Sequence, residues 1–137
     1  MDVISLYDKN IKTAVAPLGT SLTDSHLLLS WKYVNKPTLM FDGDTSGLKA
    51  SFKSAIMSLP HLTPSKLLQF IILPNEYDPD TFINEHSLSK FATYLKNPLS
   101  IVDFIFQESA KTIDLQNTDN KVIFNNYIEE LISNIKD

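Results

Sequence analysis

The sequence predicts an α/β fold: a parallel sheet with flanking helices over residues 1–86, then an all-helical extension over 87–137. Three observations carry this. Short β-prone runs alternate with segments of helical periodicity as far as residue 73, the pattern of strands joined by helical crossovers. After Asp80 the apolar residues recur only at helical spacing. The chain also opens on a helix, where a doubly wound unit normally opens on a strand, so the first strand of the sheet is expected to be missing.

The elements follow in order. Ile4, Tyr7 and Ile11, widened by Val3, place one apolar face on a helix over 2–11. Thr13 to Ala16 is a short β-prone run closed by Pro17, and Gly19-Thr20-Ser21 reads as a turn. Thr23 is the expected N-cap of a helix with Leu27, Trp31 and Val34 on one face, ended by Asn35 and Pro37. Thr38 to Phe41 is a second short strand, running directly into Asp42-Gly43-Asp44. A third helix covers 46–59, with Leu48, Phe52, Ala55, Ile56 and Leu59 on one side. Residues 67–73 are almost continuously apolar, as in a strand covered on both faces. Helices are then expected over 81–86, 88–96, 98–109 and 119–136, the last with Phe124, Ile128, Leu131 and Ile135 in one stripe. No further strand is expected, and these apolar faces need a partner.

Composition narrows the function. The chain has 137 residues, 43% hydrophobic and 20% charged, the balance of a globular domain. No apolar run reaches the roughly 18–20 residues that span a bilayer, so no membrane role is expected. The start has no basic stretch ahead of an apolar one, so it is not a secretory signal. Cysteine is absent, which excludes disulfides and a thiolate zinc site and fits a cytoplasmic setting. The net charge of −4 does not suit a protein that coats nucleic-acid phosphates along its whole surface, so any such contact is local or lies in other parts of a longer protein.

The sharpest chemical feature is Phe41-Asp42-Gly43-Asp44-Thr45-Ser46-Gly47. Asp42 and Asp44 stand two apart at a strand end, so both side chains can face one way. Carboxyl ends of parallel strands are where open α/β folds bind ligands. Two convergent carboxylates repel unless a cation joins them, and Mg²⁺ with phosphate oxygens fits such a pair. The alternative is an Asp/Gly turn that caps the following helix. An EF-hand starting at Asp42 fails because its twelfth residue is Lys53 rather than Glu. A haloacid-dehalogenase-like phosphatase is a second enzyme reading, with Asp42 as nucleophile, Asp44 as general acid and Asp78 and Asp80 as the later acidic pair. Asp78-Pro79-Asp80 also falls after a strand, and Asp78 is a suitable cap for a helix with Pro79 at its first position. Lys49 and Lys53, one turn apart behind the aspartates, can contact nucleotide or template phosphates or simply face solvent. The histidines His26, His61 and His86 have no metal-ligand spacing, and Trp31 reads as core.

Taken together, the motifs resemble the DnaG-type bacterial primases. Met1-Asp2-Val3-Ile4 is similar to the end of that family's Glu-Gly-Tyr-Met-Asp-Val-Ile segment. Ala14 to Thr23 is similar to its Ala-Val-Ala-Ser-Leu-Gly-Thr-Ala-Leu-Thr stretch. Phe41-Asp42-Gly43-Asp44 with Gly47 matches Phe-Asp-Gly-Asp-x-x-Gly, Leu73-Pro74 and Asp78-Pro79-Asp80 match a later step, and Pro98-Leu99, Asp103-Phe104 and Asp114-Leu115 resemble the start of the family's helical subdomain. The motifs occur in the family's order. The resemblance implies a partial TOPRIM domain over 1–86 and part of the helical subdomain over 87–137. It implies synthesis of short RNA primers on single-stranded DNA from ribonucleoside triphosphates by metal-dependent nucleotidyl transfer, with Asp42 and Asp44 as catalytic metal ligands and Asp2, Asp78 and Asp80 lining the same crevice. It implies Mg²⁺ or Mn²⁺ without zinc in this segment, and a replicative helicase that binds through a domain outside it. The family's catalytic Glu falls just upstream of the position matched by Met1, so this chain alone is expected to make no primers; the alternative is an inactive remnant that binds metal or a partner. Glu76-Tyr77 stands where the family often has Gly-Glu, a departure expected to bear on the shape of that loop.

Overall fold

The computed structural model describes residues 2–111 and 113–135. Its elements in chain order are α1 (Asp2–Asp8), α2 (Asp24–Ser30), β1 (Thr38–Phe41), α3 (Thr45–Ser58) with a 3₁₀ turn Leu59–His61, β2 (Gln69–Ile72), α4 (Pro79–Glu85), α5 (Leu88–Lys96), β3 (Leu99–Ser100), α6 (Ile101–Ala110) and α7 (Thr118–Ser133). The sheet has the order β1-β2-β3. β1 and β2 are parallel, with Thr38 opposite Gln69 and Phe41 opposite Ile72. β3 is antiparallel to β2.

Helices cover both faces of this sheet, and the alternation of strand side chains divides the core accordingly. On one face Leu39, Phe41, Phe70, Ile72 and Leu99 meet Leu27 and Trp31 of the α2 region, Ala55 of α3, and Ile101, Phe104 and Ile105 of α6. Phe70 and Phe104 stack with ring centroids 4.4 Å apart and planes 10° from parallel. The stripe Ile128, Leu131 and Ile135 closes over the same cluster, and Phe124 is buried. On the other face Met40, Ile71 and Leu73 meet Leu6 of α1, Phe82 and Ile83 of α4 and Phe91 of α5. The helical extension therefore finds its partner in the sheet itself.

Several expectations are corrected. Thr13 to Ala16 forms no strand: Ala14 packs on the second cluster, but Val15 is 89% exposed, and among the described residues no strand pairs with the segment to complete a ladder. The sheet is mixed, because Leu99–Ser100 forms a short strand where a helix was expected. That helix starts at Ile101 because Ser100 caps it, its hydroxyl accepting from the Asp103 amide at 3.1 Å. The first helix stops at Asp8, and Asn10 takes φ +67° just beyond it. α2 stops at Ser30, which leaves Val34 half-exposed while Leu27 and Trp31 are buried. α4 begins two residues earlier than expected, at Pro79. α7 ends at Ser133, and the expected last residue of that helix, Lys136, lies outside the described residues.

The anticipated side of α3 is buried in part, with Ala55 and Leu59 in the core and Phe52 and Ile56 packed against it, but small residues share that burial. Gly47, Ser51, Ser54, Ala55 and Ser58 are buried, whereas Leu48 and Phe52 are only partly so. Ser51, Ser54 and Ser58 donate their hydroxyls to the Leu48, Ala50 and Ala55 carbonyls at 2.7–2.8 Å. Serine satisfied within its own helix costs little to bury, so it serves here as a small residue permitting close packing.

Candidate functional site

The acidic residues gather where β1 and β2 run out. β1 ends at Phe41 and is followed by Asp42; β2 ends at Ile72, and a turn with Tyr77 N–H donating to the Pro74 carbonyl (3.1 Å) leads into Asp78. The two loops are locked together by backbone. The Gly43 amide donates to the Tyr77 carbonyl at 2.9 Å. A Cβ on Gly43 would stand 1.9 Å from the Pro74 carbonyl oxygen and 2.4 Å from that of Leu73, and a Cβ on Gly47 would stand 2.3 Å from the Asp42 carbonyl oxygen. Neither glycine has positive φ, so what the site requires of them is room rather than dihedral freedom.

Two of the aspartates are held by the helices they open. Asp44 Oδ1 accepts from the Gly47 amide at 2.6 Å as the N-cap of α3, and Asp78 Oδ1 accepts from the Thr81 amide at 2.6 Å as the N-cap of α4. Capping uses one oxygen of each carboxylate and fixes the direction of the other. Asp80 Oδ1 accepts from the Ser5 hydroxyl and from Asn84 Nδ2, the latter at 2.8 Å. Asp2 opens α1, which packs on α4.

Asp42 is the electrostatic centre. Its carboxyl is pushed above the ordinary carboxylate range, first by partial burial and then by the charges of Asp2, Asp78 and Asp44. Like charges brought together at this cost mark a place where a cation is favourable. Among the described residues no three His, Cys, Asp or Glu side chains enclose an ion by themselves. The donor set still fits a hard divalent cation of the Mg²⁺ type, which is usually held by one or two carboxylates and completes its shell with water and phosphate oxygens.

The other candidates lie elsewhere. Lys49 and Lys53 are exposed and line a groove of about 610 Å³ between α3 and the α6–α7 pair, with Leu48, Phe52, Ile123 and Tyr127. His26 closes a capping box with Thr23, His61 meets Asp24 at 3.2 Å, and the His86 ring lies against Tyr77 and Phe82. Trp31 is buried and its Nε1 donates to the Leu67 carbonyl at 2.8 Å. Sequence reading missed Ser5 and Asn84. Their only signal is spacing: Ser5 shares a helix face with Asp2, and Asn84 follows Asp80 by one turn. Glu76 has φ +67°, a left-handed conformation that favours glycine, so this loop carries backbone strain at a residue with a Cβ.

A helix-sheet-helix sandwich with carboxylates at the ends of β1 and β2 defines a Toprim-type domain, and residues 1–67 match the family model described as Toprim domain. Over 135 residues the chain is 36% identical to the DNA primase of Buchnera aphidicola, covering 98% of this chain and 23% of that protein. It superposes on the structure of the DnaG catalytic core with a TM-score of 0.88 and 30% identity, covering 98% of this chain and 44% of that one. A DnaG primase catalytic domain bound to single-stranded DNA matches with a TM-score of 0.87 and 30% identity over 98% of this chain and 43% of that one. The chain belongs to the DnaG-type primases and spans about a quarter of the length of the curated relatives it matches. The phosphatase alternative is thereby set aside.

Proposed function

We propose that this chain supplies the metal-binding part of a primase that makes short RNA primers on single-stranded DNA from ribonucleoside triphosphates. The observation that carries the reading is the convergence of Asp2, Asp44 and Asp78 on Asp42 at the ends of two parallel strands. Asp42 and Asp44 are the proposed catalytic ligands of Mg²⁺ or Mn²⁺, with Asp2, Asp78 and Asp80 lining the same crevice. When bound, the metal supplies charge stabilisation for an in-line displacement at phosphorus. The protein's part is to hold the carboxylates in place through the caps of α3 and α4 and the Gly43–Tyr77 backbone lock. Lys49 and Lys53 are proposed contacts for nucleotide or template phosphates. Residues 1–86 form the TOPRIM portion and 87–137 the helical portion in this reading. A replicative helicase is the proposed partner of the whole protein, and the cytoplasm its compartment. Among the described residues no helix is long and apolar enough to cross a membrane.

The reading is tested by a graft. The matching segment of the Escherichia coli primase, 30% identical over 135 residues, is replaced by this chain. The expected result is template-dependent ribonucleotide incorporation by the graft and its loss in the graft carrying Asp42→Asn, with single-stranded DNA binding kept. Full incorporation by the Asp42→Asn graft would contradict the assignment.

A further inference from the structure

One contact not yet given a role joins α1 to α4 beside the acidic crevice. The Ser5 hydroxyl on α1 donates to Asp80 Oδ1 on α4, across 75 positions of sequence. The same oxygen accepts from Asn84 Nδ2 at 2.8 Å, one turn further along α4, so the carboxylate is held from its own helix while it holds α1. Ser5 follows Asp2 by three residues on α1 and therefore shares its face. Helix α1 has only seven residues, too short to be stable alone, and Leu6 is its one buried side chain. Its place on α4 is thus set by Leu6, which sits in the second core cluster with Ile11 and Ala14 of the following segment, and by this hydrogen bond. Asp2, in turn, is the foremost of the like charges that bear on Asp42.

We propose that Ser5 is a positioning residue: bonded to Asp80, it clamps α1 onto α4 and so holds Asp2 at the acidic crevice. This rests on the metal-site reading above for its consequence but not for its structural part. Asp80 then acts on the crevice through α1, whatever its second oxygen does. The clamp is local to these two helices and leaves the caps of Asp44 and Asp78 untouched.

The test uses the 137-residue chain with two readouts: metal-free hydrogen exchange of the α1 amides, and Mn²⁺ affinity by electron paramagnetic resonance. Ser5→Ala is expected to speed α1 exchange and weaken Mn²⁺ binding by about fivefold, the scale of one ordinary net hydrogen bond. Ser5→Thr, which keeps the hydroxyl, restores both. Asp80→Ala has at least the effect of Ser5→Ala, and adding Ser5→Ala to it changes neither readout further, because the partner is already gone. Unchanged α1 exchange in Ser5→Ala overturns the clamp, and so does a full further loss in the double variant. If the parent chain binds no Mn²⁺, the metal-site reading fails, and α1 exchange still decides the clamp. Faster exchange with unchanged Mn²⁺ affinity removes the link from α1 to the crevice and overturns the proposal.

Discussion

Gly43→Ala is the substitution with the most direct consequence for this architecture. The added Cβ would lie 1.9 Å from the Pro74 carbonyl oxygen, and ordinary contact begins at 3.4 Å, so the β1 and β2 loops must separate by up to 3.4 − 1.9 = 1.5 Å. Both atoms it meets first belong to backbone, which cannot rotate away as a side chain does. Overpacking of this kind costs about 1–3 kcal/mol. The Gly43–Tyr77 hydrogen bond, 2.9 Å long, is stretched or lost as well, for about 1 kcal/mol more. A total of about 2–4 kcal/mol corresponds to a fall in Tm on the order of 10 °C for a chain of this size. The same movement carries Asp42 away from Asp78, so divalent-cation affinity falls too. Thermal unfolding by circular dichroism and Mn²⁺ titration check the two effects. A variant with the parent's Tm and the parent's affinity would show that the loops are not locked at Gly43, and the account of the site's rigidity would be wrong.

Other outcomes follow from the same geometry. Asp42 has a raised folded-state pKa, so below its ordinary value both folded and unfolded forms are protonated and it contributes no penalty, while above the raised value the folded state carries its ionised charge at a cost. Asp42→Asn should therefore raise metal-free stability at neutral pH, with the gain fading as pH falls through that window; a gain independent of pH, measured by denaturant unfolding, contradicts the electrostatic cause. Glu76→Gly should stabilise by about 1 kcal/mol, since a left-handed conformation costs a residue with a Cβ about 1–2 kcal/mol and glycine gives back part of it in entropy; a lower midpoint in urea counts against strain at this loop. Phe104→Ala, which removes the ring stacked on Phe70, should cost about 3–5 kcal/mol and loosen α6 from the sheet. Lys49→Ala with Lys53→Ala in the grafted primase should weaken template or nucleotide binding and flatten its salt dependence, and an unchanged salt slope removes both lysines from phosphate contact.

How far the sequence could be read depended on whether a feature is local. Thr23 as a cap, Asp78 ahead of Pro79, the apolar run around β2 and the Phe124–Ile135 stripe all express interactions within a few residues, and each is found where its pattern placed it. β3 was hidden because two residues carry no periodicity, and its existence depends on the edge of β2 being available. Thr13 to Ala16 failed in the opposite sense: its residues favour a strand, but a strand exists only with a neighbour. The buried face of α3 was legible in Ala55, Ile56, Leu59 and Phe52, which lie on the core cluster, but not in the three serines satisfied within the helix that behave there as small core residues. At the site, the position of Asp42 and Asp44 just beyond the end of β1 was legible in the sequence. The caps that fix Asp44 and Asp78 could be anticipated, but the Ser5–Asp80 bond could not, since nothing in either segment announces a partner 75 residues away.

The central claim is that the carboxylates around Asp42 form a divalent-cation site. Mn²⁺ titration of the 137-residue chain, followed by electron paramagnetic resonance and repeated on Asp42→Asn, tests it most directly. The account predicts weak binding by the parent that Mg²⁺ displaces and that Asp42→Asn loses by tenfold or more, about 1.4 kcal/mol of binding free energy. Equal affinity in parent and variant would place any bound ion elsewhere and contradict the site.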